Sequence, residues 1–120
     1  MISINYRDGR PIYEQVRDGF RQLIITGVLP AGSKMPSVRE MASTLTINPN
    51  TIQRAYRELE AEGYIASVPG KGSFVAAREE AVIARREELL TRFQSLLQEL
   101  REVGTEEGTL VNLIREEYNT

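Results

Sequence analysis

Asn50, Thr51, Gln53 and Arg54 crowd the first turns of one short helical stretch, in the run INPNTIQRAYR. Their chemistry is recognition rather than bond-breaking. In a DNA major groove, Asn and Gln amides make paired hydrogen bonds to adenine, Arg makes them to guanine, and a Thr methyl can touch thymine. The same residues would also serve as a solvated helix face, so the stretch needs support from elsewhere. Lys71 supplies some: it stands between Gly70 and Gly72, where a hairpin tip with glycines on both sides can bring a cation close to a phosphate or a minor groove. Alone, that tip would be an ordinary turn. Arg39 supplies more. It falls in the first turn of a helix, where the dipole disfavours a cation. An external phosphate or base would account for it, and an ion pair with Glu40 or Glu58 is the alternative.

These side chains are positioned by two helices whose starts are written into Ser37–Arg57, SVREMASTLTINPNTIQRAYR. Ser37 with Glu40 three residues later forms a capping box. Asn48 is a strong N-cap placed before Pro49, a residue suited to the first helical turn. Ser37 and Asn48 are therefore caps first and candidate DNA contacts second. The spacing predicts one helix from about Ser37 to Leu45, burying Val38, Met41, Ala42 and Leu45. A second runs from about Pro49 to Glu62, burying Ile52, Ala55, Tyr56 and Leu59, and ends at Gly63. The short link Thr46-Ile47-Asn48 forces a sharp angle between them.

Upstream, Ile12, Val16, Phe20, Leu23 and Ile24 recur at helical spacing, with Glu14, Arg17, Asp18 and Arg21 on other faces; Pro11 suits the start and Gly27 the stop. Leu29 to Pro36 is turn-rich. Downstream, residues 64–68 and 73–76 are predicted strands around the turn Pro69-Gly70-Lys71-Gly72. The expected fold is mostly α with a small β-hairpin: a winged helix-turn-helix over residues 1–77, followed by a short helical dimerisation segment over 78–120.

In that segment Val82, Leu89, Phe93, Leu96, Leu100 and Val103 follow spacings of three and four, with Arg86 in the remaining slot. Ile83, Leu90 and Leu97 widen the stripe. A helix apolar along one side needs another surface to cover it. Leu89, Phe93, Leu96, Leu100 and Leu113 are the expected homodimer interface. Gly104 breaks the helix, and Thr105 or Thr109 could cap a last one with Leu110, Leu113, Ile114 and Tyr118 inward. A small-molecule effector could lodge near Phe93 or Tyr118, although plain dimer core explains those residues as well.

The chain of 120 residues has no Cys and no His. Disulfides, thiolate nucleophiles, imidazole bases and the common zinc ligand sets are excluded. There is no Gly-rich phosphate loop followed by Lys-Ser/Thr, so no catalytic residue, metal or cofactor is expected and the chain does not read as an enzyme. The pairs Glu79-Glu80 and Glu87-Glu88 are solvated helix charges. No apolar run approaches a membrane span and MISINYRDGR is no signal peptide, so a cytoplasmic location is expected. The net charge of −2 is uneven: residues 1–77 hold nine Lys/Arg and seven Asp/Glu, a balance of +2, and residues 78–120 hold six and ten, a balance of −4. Phosphate binding depends on a local basic face, not on the total.

Leu29 to Val75, LPAGSKMPSVREMASTLTINPNTIQRAYRELEAEGYIASVPGKGSFV, resembles the DNA-binding domain of GntR-type bacterial transcription regulators. The shared pattern is a proline-glycine turn, then Met-Pro-Ser, an Arg two residues on, a helix-turn-helix, and a G-x-G wing running into a Phe-Val strand. Asn-Pro-Asn-Thr followed by Arg-Ala-Tyr, and Pro11-Ile12-Tyr13-Glu14-Gln15-Val16, are similar to the YtrA-type branch. The likeness covers about residues 11–77, with Thr46 where the family has a glycine. It implies that Arg39 contacts DNA from the first helix of the motif. Asn48, Asn50, Thr51 and Gln53 would face bases or phosphates, and Gly70, Lys71 and Gly72 would form the wing tip in the minor groove. It also implies a homodimer acting on an inverted-repeat double-stranded DNA operator, usually as a repressor, often near transporter genes. The competing expectation is a winged-helix module that binds protein and not DNA.

Overall fold

Helical periodicity and the cap residues set the element order, which the computed structural model describes for residues 2–120. It runs α1 (Ile12–Ile25), α2 (Val38–Leu45), α3 (Pro49–Ala61), β1 (Ile65–Val68), β2 (Gly72–Val75), α4 (Arg78–Glu102) and α5 (Glu107–Tyr118). The chain divides into two units, Met1–Arg85 and Arg86–Thr120.

In the first unit α3 packs on both α1 and α2. Val16, Phe20 and Ile24 of α1 meet Met41 and Ala42 of α2 and Ile52, Ala55, Tyr56 and Leu59 of α3, with Tyr64, Ile65 and Val75 closing the hairpin side. Val38, Leu45, Ile12 and Leu23 are half-buried against this core rather than sealed within it. The Phe20 and Tyr56 rings meet edge-on at 5.6 Å, a favoured aromatic geometry. The Tyr56 hydroxyl donates to the Pro36 carbonyl at 2.7 Å, which ties α3 to the segment leading into α2. Burial, and secondarily the Glu40 carboxylate, push that hydroxyl above its ordinary value of 10.0.

β1 and β2 pair antiparallel, Ile65 opposite Val75 and Val68 opposite Gly72. The turn-rich segment before α2 also joins this sheet. Lys34 bridges Phe74, Met35 N–H donates to Ser73 O at 2.8 Å, Gly32 N–H to Val75 O at 2.9 Å, and Val75 N–H to Ser33 O at 2.8 Å. Its composition signals turns because the pairing that straightens it lies about forty residues away, beyond the reach of local propensity.

One α1 residue departs from expectation. Arg21 is 8% exposed instead of lying on a solvent face. It can be buried because its charge is met: Nη2 pairs with Asp18 Oδ1 at 2.6 Å and Nη1 with Glu62 Oε2 at 3.2 Å. Asp18 also takes Arg10 at 2.7 Å and Arg17 at 3.0 Å, and Arg17 reaches Glu58 at 2.7 Å. Two of these pairs, Arg17–Glu58 and Arg21–Glu62, each span 41 positions in sequence and stitch α1 to α3 and its C-cap. Before α1, Gln15 holds the entering chain by accepting Asn5 N–H at 2.9 Å and donating to Asn5 O at 3.1 Å.

The same hydrogen-bond pair closes α2, α3 and α4. Ile47 N–H reaches Ala42 O, Tyr64 N–H reaches Leu59 O and Thr105 N–H reaches Leu100 O, each at 2.9 Å. This is the Schellman end, which needs one left-handed residue. Gly63 and Gly104 serve at two of them, at φ 86 and 84; at the third stands Thr46, at φ 55. A β-branched residue is poorly suited to that region.

Taken by itself, the second unit holds most of α4, the Gly104 turn and α5. Neither Thr105 nor Thr109 caps α5; Glu106 occupies the N-cap position, without a side-chain bond to the helix. Leu89, Leu90, Phe93, Leu96, Leu113, Ile114 and Tyr118 are exposed and α5 buries no residue. Leu100 is half-buried.

Two stability changes follow. Thr46→Gly should raise the unfolding free energy by about 1 kcal/mol, the left-handed cost less part of glycine's extra freedom when unfolded; chemical denaturation measures it, and no gain would contradict the strain. Tyr56→Phe should lower stability by about 1 kcal/mol by leaving the Pro36 carbonyl without its donor. A hydroxyl held above its unfolded value stabilises fully below pH 10 and loses that contribution as pH rises further. Stability should therefore fall less steeply above pH 10 in Tyr56→Phe than in the wild type, as thermal melts across that range would show.

Candidate nucleic-acid interface

The leading edge of α3 is set by its cap. Asn48 Oδ1 accepts Asn50 N–H at 2.8 Å and Pro49 takes the first helical position, where its missing N–H costs nothing. Asn50 and Gln53 are exposed and Thr51 is half-buried. Arg57, a residue the polar cluster did not include, is exposed too. It follows Gln53 by four and Asn50 by seven, so the three share one helical face. That spacing was available in the sequence.

Arg54 is differently engaged. Its guanidinium carbon lies 3.7 Å from the centre of the Tyr13 ring. Nη2 donates to the Tyr13 hydroxyl at 3.1 Å, and Nε lies 3.6 Å from Glu58 Oε2. With 57% of the side chain still exposed, it is a cation braced against α1 and not a free arm.

In α2, Ser37 Oγ accepts Glu40 N–H at 3.0 Å, so its cap role is filled. Arg39 is exposed and makes no ion pair among the described residues. Glu58, one of its two candidate partners, is taken by Arg17 and Arg54.

At the hairpin, Lys71 N–H donates to Val68 O at 2.9 Å, with Pro69 and Gly70 as the central residues and Gly70 at φ 75. Proline then glycine with positive φ is the type II turn. Lys71 projects from its end, exposed. Gly72 follows at φ 108, with the Lys34 side chain against its open side. Lys34 is a further cation on the wing that the turn-rich composition of its own segment did not signal.

Among the described residues the ionic interactions thus separate. Arg10, Arg17, Arg21 and Arg54 are held by Asp8, Asp18, Glu58 and Glu62. Within residues 2–77, Arg7, Lys34, Arg39, Arg57 and Lys71 are exposed and make no ion pair. No group of three or more metal-ligating side chains occurs among the described residues, and no described helix is long and apolar enough to cross a membrane.

The chain resembles known proteins over most of its length. Residues 12–75 match the family model described as bacterial regulatory proteins, gntR family. The chain is 35% identical over 118 residues to the HTH-type transcriptional repressor YtrA of Bacillus subtilis, covering 97% of this chain and 91% of that protein. The solved structure of YtrA from Sulfolobus acidocaldarius, a GntR-family transcription factor, superimposes with a TM-score of 0.65 at 33% identity, covering 80% of this chain and 97% of that one. The DNA-binding domain of AraR, solved in complex with operator ORE1, gives a TM-score of 0.55 at 28% identity over 63% of this chain and 93% of that one. These relatives are regulators and not enzymes. The chain belongs to the GntR family of bacterial regulatory proteins and is YtrA-like within it.

Proposed function

We propose that this chain is a homodimeric transcriptional repressor that reads an inverted-repeat DNA operator, one half-site per winged helix, upstream of its own operon. The observation that carries the reading is the separation of cations. The arginines that could satisfy acids inside the fold do so, and Arg39, Arg57 and Lys71 stay uncommitted around a helix start bearing Asn50 and Gln53. Unpaired cations beside exposed amides suit a ligand that offers both phosphates and base edges. The operator seen with the AraR domain supports the same ligand class.

The dimer rests on the second unit. Leu89, Phe93 and Leu96 are exposed at helical spacing along α4 and Leu113 is exposed on α5, the kind of apolar display that marks an interaction surface. A second copy with the same stripe covers it by two-fold symmetry. Two-fold symmetry in the protein then calls for two-fold symmetry in the DNA.

Asn50→Ala and Arg39→Ala should each weaken binding to DNA from upstream of the gene by about 1–3 kcal/mol, measured by gel shift at fixed salt. Unchanged affinity in both variants would remove these residues from the interface, and the lack of any specific band with wild-type protein would favour a protein-binding winged helix. Leu96→Glu should convert the dimer to monomer in sedimentation and cut operator affinity; a Leu96→Glu dimer would place the interface elsewhere.

A further inference from the structure

The two wing glycines differ in their surroundings. A Cβ added at Gly70 would meet nothing within 4 Å, but one added at Gly72 would lie 3.1 Å from Lys34 Cε and 3.8 Å from Lys34 Nζ. Gly70 makes the turn. Gly72 leaves the space in which the Lys34 side chain lies.

Lys34 is not a loose loop residue. Its backbone bridges Phe74, and Met35 beside it donates to Ser73 O at 2.8 Å. Its origin is therefore fixed to β2, and its apolar stem is laid over glycine backbone with the ammonium at the surface, as long cationic side chains commonly arrange themselves. The carboxylate bonded to this hairpin, Glu60, accepts from Ser67 N–H at 3.3 Å and Ser67 Oγ at 3.1 Å, one position from the Val68–Gly72 pair. It forms no ion pair with Lys34 or Lys71. Lys34 lies against Gly72, the residue that follows Lys71, and neither cation makes an ion pair among the described residues; a polyanion outside the fold suits two such cations.

From this juxtaposition, and resting on the DNA-binding reading above, we propose that Lys34 is a second cation of the wing, contacting a DNA phosphate beside the one met by Lys71. Lys71 reaches out from the tip, and Lys34 reaches across Gly72 from the adjoining strand edge. The wing then grips the DNA backbone at two points and not one, which fixes how it lies in the groove. Phosphate contacts of this kind position a protein without reading bases.

Because the contact is to backbone, the test needs no knowledge of the operator. A fluorescein-labelled 30-base-pair duplex of mixed sequence is titrated with the full chain at several salt concentrations, and the slope of log affinity against log salt is read. Each lost phosphate contact reduces that slope by about 0.9. Lys34→Gln should lower it by about that amount, Lys71→Gln by the same, and the double variant by about twice as much. Lys34→Arg should keep the wild-type slope. A residue that merely packs against Gly72 would shift melting temperature and leave the slope alone. A Lys34→Gln slope equal to wild type overturns the Lys34 assignment while leaving DNA binding intact. A wild-type protein with no salt-dependent binding overturns the underlying reading and the assignment with it.

Discussion

Thr46 turns into the left-handed region so that α2 can stop and α3 can start three residues later, and the placement of the α3 recognition side chains follows from that turn. Ile47 N–H returns to Ala42 O, Asn48 then caps α3, and Pro49 opens it. Shifting the helix start by one residue would rotate Asn50 and Gln53 by about 100° and turn an apolar position outward. The turn, the cap and the proline agree, and the buried row Ile52, Ala55, Tyr56 and Leu59 holds the choice from the other side. Local chemistry and core packing point to one register, which is how a short motif can present side chains reproducibly.

Electrostatics completes what the turn begins. The exposed faces of α1 and α3 would leave several arginines close together, and Asp18, Glu58 and Glu62 neutralise them pairwise. Surface ion pairs contribute little individually, but a network around a buried guanidinium such as Arg21 does more to define geometry. Arg17 gains enough from Glu58 and Asp18 to hold its proton more tightly than a free guanidinium, despite the opposing effect of burial. The consequence for function is indirect. With the internal acids engaged, the cations at the α2 start, on the outer face of α3 and on the wing are available to a ligand.

Much of the fold was legible because its signals are local. Ser37, Asn48 and Pro49 mark helix starts, Gly63 and Gly104 mark ends, and Pro69-Gly70 sets a turn type. What escaped a reading of the chain depends on residues far apart in sequence. The pairing of residues 32–35 with β2, the burial of Arg21 and the stacking of Arg54 on Tyr13 each require the tertiary structure to exist first. Gly72 illustrates the limit well. Its neighbours Gly70 and Lys71 suggest an open tip, and only the folded chain brings Lys34 across it. The cap of α5 failed for a different reason: two threonines offered themselves, and the Schellman turn at Gly104 places the helix start between them.

A winged helix with one committed and one uncommitted set of cations, joined to an acidic segment with an exposed apolar stripe, fits a protein that reads DNA as a symmetric pair. The most direct measurement is selection from a pool of random-sequence duplexes with the full-length chain, followed by sequencing of what is retained. The expected result is enrichment of an inverted repeat whose half-site centres lie about 10 base pairs, or a multiple of that, apart. Retained sequences with no enriched motif, or with a single unrepeated element, would contradict a dimer that reads DNA through the α3 edge.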